Sequence, residues 1–256
     1  MTTLLTETFD DADLDDRGWI DEYYDVWLDT TTKYSGASSW RITFNPTATN
    51  CRNTANDSTL VSIRRAFTSS DQIYVSFYWR FNSDWVGSGQ SYHPHLFFIL
   101  HTVWGNLSVG LLRIYVEVTG TTLRFITGLG DDVSDPGTVT FHDTSYEFPL
   151  GEWKHVECWF KNNTVGQSNG EMKSWVNGIS VLDLSNIVYR TSSSIHFAAV
   201  AMAPWISDGS PQSQTMWMDE LIIGTEYLSR GKGDLLSMPS SRLCNKTNVR
   251  RLHPKI

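Results

Sequence analysis

The chain is expected to fold as an all-β protein, a two-sheet antiparallel β-sandwich, and three observations predict it. Apolar and polar residues alternate in short runs bounded by Gly, Asn, Asp and Ser clusters. No stretch of comparable length keeps a 3.6-residue period. Asn177-Gly178 separates two β-rich flanks in "SWVNGISV", and this dipeptide favours the type I′ hairpin turn.

In chain order the strand signals are "SSWRITF", "LVSIRRAF", "QIYVSFYWRFN", "HLFFIL", "LLRIYVEV", "TLRFITGL", "EWKHVECWFK", the hairpin "GEMKSWVNGISVLD", "IHFAAVAMAP" and "TMWMDELIIGTEYL". About ten strands with no internal repeat predict one sandwich domain over 1–230 rather than two domains. After "SRGKGD" the pattern lapses, so 231–256 reads as a basic C-terminal extension. Within strands the period of two sorts side chains by face. Val75, Phe77, Trp79 and Phe81 fall on one side, and Tyr74, Ser76, Tyr78 and Arg80 on the other. Val156, Cys158 and Phe160 oppose His155, Glu157, Trp159 and Lys161; Met172, Ser174 and Val176 oppose Glu171, Lys173 and Trp175. Several strands are therefore expected to share one mixed face of aromatic and charged groups.

Composition narrows the function classes. With 11 Trp and 19% charged residues the chain is globular and aromatic-rich. No apolar run reaches the 18 or so residues of a membrane span, and the N-terminal "MTTLLTETFDDADLDD" has neither the basic nor the apolar region of a secretory signal. A net charge of −8 disfavours nucleic acid as a partner. The last fifteen residues run against that balance: Arg242, Lys246, Arg250, Arg251 and Lys255 are unopposed by any acid. A basic arm on an acidic body predicts a homo-oligomer or particle subunit, virion- or assembly-associated, alternatively cytoplasmic or exported by a non-classical route. Cys51, Cys158 and Cys244 have no metal-type spacing.

Three motifs together point to a family. "LTETFDD", "YSGASSWRI" and "MWMDELIIGTEYL" resemble segments of the concanavalin A-like lectin/glucanase jelly rolls, a superfamily that includes laminin-G-like modules, carbohydrate-binding modules and several polysaccharide lyases. "GEWKHVECWFKNN" followed by "GEMKSWVNGISVLD" is similar to the paired strands that precede the last two in these domains. The resemblance spans roughly 4–228 and specifies a fold that hosts binders and enzymes alike. It implies a structural Ca²⁺ held by Glu7, the carbonyl of Gly36 and Asp219, a set of hard oxygen donors. The alternative is that Asp219 only organises a hydrogen-bond network. Asp10, Asp11, Asp13, Asp15 and Asp16 lack an EF-hand pattern and read as a solvated turn.

Glycoside hydrolysis needs two converging carboxylates. The Glu-x-Asp-x-x-Glu strand of the glucanases is absent, and Glu117, Glu157 and Glu171 fall on different strands. Glycan binding asks for stacking platforms and hydroxyl partners. Tyr78, Arg80, His93, His95, Tyr115, Trp159 and Trp175 supply them, with about two of the five platforms Tyr78, Tyr115, Trp159, Trp175 and Trp217 expected to be exposed. The main expectation is therefore a polysaccharide- or cell-surface-glycan-binding jelly roll within a larger assembly. An alternative is a polysaccharide lyase, with Tyr78, Arg80, His95, His155 and Lys173 as the groups that would neutralise a uronate carboxylate and move protons. The Arg-Thr-Glu and Gln-Ile-His strands of the best-known alginate lyases are not found. A purely structural assembly module is the third reading. In "SYHPHLFFIL" Pro94 marks the start of a strand rather than its centre, and His93 with His95 is expected at the rim of a ligand groove.

Overall fold

The structure, a computed structural model, describes residues 2–11, 13–20, 27–46, 63–88, 95–100, 111–130, 138–206 and 209–227. Fourteen strands are found among them: β1 (Thr3–Glu7), β2 (Trp27–Asp29), β3 (Ser39–Phe44), β4 (Ile63–Ser70), β5 (Gln72–Phe81), β6 (His95–Leu100), β7 (Leu111–Thr119), β8 (Thr122–Gly130), β9 (Thr138–Glu147), β10 (Lys154–Lys161), β11 (Gly170–Val176), β12 (Ile179–Ile187), β13 (Phe197–Trp205) and β14 (Gln214–Gly224). Every pairing between them is antiparallel. The larger sheet runs β12-β11-β10-β5-β14-β3-β2, with β1 also on β14; the smaller runs β4-β13-β6-β7-β8-β9.

The sandwich predicted from alternation is present, and the strand count is larger than expected. β1, β2 and β9 escaped the pattern. β2 is three residues long, and β9, "TVTFHDTSYE", is an edge strand whose polar residues mask its alternation. The Asn177-Gly178 turn is as predicted: both residues have positive φ, 50° and 76°, and Val176 pairs with Ile179 across it.

The core lies between the sheets. Val75, Phe77, Trp79 and Phe81 of β5 meet Val156, Cys158 and Phe160 of β10 and Met216, Met218, Leu221 and Ile223 of β14. Phe125 of β8, Phe197, Val200 and Met202 of β13 close it from the smaller sheet. Both sheets therefore turn their other faces outward, on opposite sides of the molecule. The basic extension over 231–256, with Cys244, lies outside the described residues, as do Cys51 and His93. No helix among the described residues is long and apolar enough to cross a membrane.

Candidate functional site

The outer face of the larger sheet is built by the alternation seen in the sequence. Every apolar residue of β5, β10 and β11 that turns inward leaves a polar or aromatic neighbour turned out. Cross-strand register then sets His155 beside Tyr78, Glu157 beside Ser76 and Trp175, and Trp159 beside Tyr74 and Lys173.

Much of the centre of this face is packed. The Tyr78 ring, 5% exposed, lies between the Tyr34 ring at 3.4 Å and the His155 ring at 4.8 Å. His155 Nε2 is 2.7 Å from Ser76 Oγ, and its Nδ1 is 3.5 Å from Glu157 Oε2. Tyr74 donates its hydroxyl proton to Glu157 Oε1. Burial, with the Glu157 carboxylate alongside, pushes the Tyr74 phenol far above its ordinary range. This chain of partners satisfies buried polar groups, and it leaves Tyr78 and His155 no open approach for a substrate.

The flank toward β11 and β12 is different. Trp159 and Trp175 are half-buried, and Tyr227, just beyond β14, is 45% exposed. With Glu171 and Lys173 they line a groove of about 450 Å³. Lys173 Nζ lies 3.3 Å from Glu171 and 3.5 Å from Asp183, and Lys161 donates to Glu171 at 2.9 Å. The two lysines hold the Glu171 carboxyl below its usual range, Lys161 chief among them. The Glu171 hydrogen bond raises Lys173 in turn.

At the other end of the face a row of alternating cations and indoles crosses four strands. Register sets Arg80 beside Trp217, Trp217 beside Arg41 and Arg41 beside Trp27. The Arg80 guanidinium lies 5.8 Å from the Trp217 ring and Arg41 5.5 Å from Trp27. Trp217 Nε1 donates to Asp29 Oδ2 at 2.9 Å.

The expected single mixed face does not gather all its members. Tyr78, Arg80, His155, Trp159, Lys173 and Trp175 are on the larger sheet, but His95 is on β6 and Tyr115 on β7 of the smaller one. The sequence gives strand periodicity but not sheet membership. On the smaller sheet the backbone register aligns Trp205, His95, Glu117, Arg124 and Asp143 across β13, β6, β7, β8 and β9. Arg124 Nε donates to Asp143 Oδ1 at 2.5 Å, while Leu123 and Phe125 on either side are buried. This row therefore crosses the outward side at β8. Arg124 was missed from sequence, although its alternation with Leu123 and Phe125 marked it as outward.

The calcium donor set is a different structure. Glu7 Oε1 accepts from the Phe9 N–H at 3.0 Å; Oε2 accepts from Arg17 Nε at 2.9 Å and Trp19 Nε1 at 2.8 Å. Asp219 Oδ2 accepts from the N–H groups of Tyr34 and Ser35 at 2.9 and 3.1 Å, and Oδ1 from that of Glu220 at 2.8 Å. Donors thus face every one of these carboxylate oxygens, and a guanidinium already neutralises Glu7. Gly36 turns the chain with φ +59° against the Asp10 carboxylate, which accepts from the Ala37 N–H. These hydrogen bonds anchor loops to β1 and β14 and occupy the oxygens that a cation would take. No group of three or more His, Cys, Asp or Glu that could hold a metal occurs among the described residues.

Comparison with known proteins adds to this geometry. Residues 132–211, from β9 through β13, match the family model Polysaccharide lyase 14. No curated protein sequence matches the chain. Among solved structures, the PL-14 alginate lyase of Aplysia kurodai superposes with a TM-score of 0.61 over 88% of this chain and 100% of its own, at 12% identity. The endo-β-1,4-glucuronan lyase of the fungus Trichoderma reesei gives 0.59 over 82% and 92%, at 14% identity. A carbohydrate esterase of the Shiga toxin-encoding bacteriophage phi24B gives 0.56 over 88% and 99%, at 11% identity. The sandwich, its strand order and these likenesses show that the chain has a jelly-roll β-sandwich fold, the fold of these alginate and glucuronan lyases.

Proposed function

We propose that the protein is a polysaccharide lyase that cleaves a uronate-containing glycan by β-elimination. The observation that carries this reading is the match of residues 132–211 to a lyase family. The register row on the smaller sheet supports a location for it. In such a reaction a cation neutralises the uronate carboxylate, and a base removes the proton on the adjacent ring carbon. The carbon–oxygen bond to the next sugar then breaks, leaving a ring double bond, and an acid protonates the departing oxygen. Arg124 is the residue assigned to the carboxylate, which would take the place of the exposed Asp143 side chain as its partner. His95 and Tyr115, on the adjacent strands β6 and β7, are the residues assigned to proton transfer. Tyr78 and His155 are not assigned there, because packing occupies both.

Recognition without cleavage is the second reading, and one observation favours it. β13, flanked by β4 and β6 in the smaller sheet, reads "FAAVAMAPW" and brings no ionisable side chain to it. The two readings part in one assay. Incubation with alginate and with glucuronan is expected to raise ultraviolet absorbance from the unsaturated product, and Arg124→Ala or His95→Ala to reduce the rate at least tenfold. Undiminished binding of either polymer with no rise in absorbance would replace the lyase by a lectin.

A further inference from the structure

The lyase reading uses the smaller sheet and leaves the groove on the larger sheet without a task. Three aromatic rings line that groove: Trp159 of β10, Trp175 of β11 and Tyr227. Trp175 and Tyr227 meet at 5.2 Å with their planes tilted by 56°, and Tyr227 also packs edge-on against Tyr74. Lys173 lies opposite Trp159 in register, so Trp175 is the diagonal neighbour of Trp159, roughly 7–8 Å away along the sheet. Indoles that only completed the core would be covered. These are turned away from it, on strands whose inward residues Cys158, Phe160, Met172 and Val176 are at most 1% exposed. A groove of about 450 Å³ is within the range of small-molecule sites, apolar walls with a few placed polar groups.

The charges at its rim decide the class of ligand. Lys161, Glu171, Lys173 and Asp183 alternate in one chain of ion pairs, each cation matched by an anion. Such a rim offers hydrogen bonds to hydroxyl groups but no net positive charge for a carboxylate.

We infer that the Trp159–Trp175–Tyr227 groove is a second saccharide site, non-catalytic, that takes neutral hexopyranosyl units by stacking their apolar ring faces on the indoles, with Glu171 and Lys173 bonding the hydroxyls. It rests on the carbohydrate-active reading only for the ligand class, and it lies on the opposite side of the sandwich from the row proposed for cleavage. The protein would thus hold a neutral stretch of glycan with one sheet while acting on uronate units with the other.

Titration of the full-length protein with cellohexaose, mannohexaose and an alginate hexamer, followed by tryptophan fluorescence and calorimetry, tests this. The expected result is saturable binding of a neutral hexamer that weakens at least tenfold in Trp159→Ala and in Trp175→Ala, with alginate cleavage in the ultraviolet assay unchanged. Tyr227→Ala, beyond the last strand and half exposed, is expected to weaken binding without disturbing the fold, so a collapsed tryptophan variant does not remove the test. Neutral binding lost in these variants upholds the site even where no uronate is cleaved. Cleavage of alginate with no neutral binding by the wild type overturns it. A preference for the alginate hexamer that disappears with the tryptophans overturns the neutral class.

Discussion

Cys158 shows how fully position sets chemistry in this molecule. It is one of the inward residues of β10, 0% exposed, with Ser174 Oγ at 3.9 Å. Burial among apolar neighbours disfavours the thiolate and pushes the thiol up to about 12. The thiolate is the reactive form, so alkylation of Cys158 by iodoacetamide at pH 8 is expected to run about three orders of magnitude slower in the folded protein than in denaturant. Mass spectrometry of the peptide carrying Cys158 reads this directly, and equal rates in both states would show that β10 is not buried as described. Asn162 obeys the same logic. It heads a glycosylation-type triplet, Asn-Asn-Thr, but is only 6% exposed and donates to the Ile195 carbonyl at 3.4 Å, so a folded chain presents no acceptor there.

At the scale of elements, the break in β14 organises the packed centre of the larger sheet's outer face. Residues up to Met218 pair with β3, and those from Leu221 pair with β1 along the same edge. Between them Glu220 takes φ 53° and the register with β5 shifts, a bulge that coincides with Asp219 and its hydrogen bonds to Tyr34 and Ser35. Those bonds fix the loop that lays Tyr34 on Tyr78. Asp219→Ala leaves three backbone N–H groups without their charged acceptor, and a loss of about 3 kcal/mol is expected in urea unfolding. An unchanged midpoint would show that the loop is held by other means. Gly36→Ala is expected to destabilise the same loop, because its φ of +59° is unfavourable to a side chain and the new methyl group would fall on the Asp10 carboxylate. The sequence foretold which faces of β5, β10 and β11 were inward, because a period of two needs only the strand itself. It could not foretell that β5 and β10 are neighbours while β6 belongs to the other sheet, since that pairing joins residues some eighty positions apart. Tyr34 and Tyr227 escaped notice for the same reason: each acts from outside a strand on a face assembled by distant segments.

The whole molecule integrates its shifted acidic groups into one stability profile, and Asp219 runs against the others. Asp10, Asp29, Asp71 and Glu171 are all held below the ordinary carboxylate range. Their folded pKa values lie below the unfolded ones, so their contribution is present above about pH 4–5 and is lost as pH falls through the folded values. Asp219 is pushed up to about 6, burial outweighing its three hydrogen bonds. Its folded form keeps a proton that the unfolded chain has released. The stability it contributes is therefore full below about pH 4 and is lost as pH rises toward 6. In the wild type these opposed slopes partly cancel. Asp219→Asn removes one of them while retaining the side chain's volume. Unfolding free energies of both proteins, measured from pH 3 to pH 7, are expected to show the wild type losing stability relative to the variant between about pH 4 and 6, and a constant difference above that window. A difference that is flat throughout would mean that the carboxylate on β14 is ionised across the whole range, and that its N–H donors outweigh its burial.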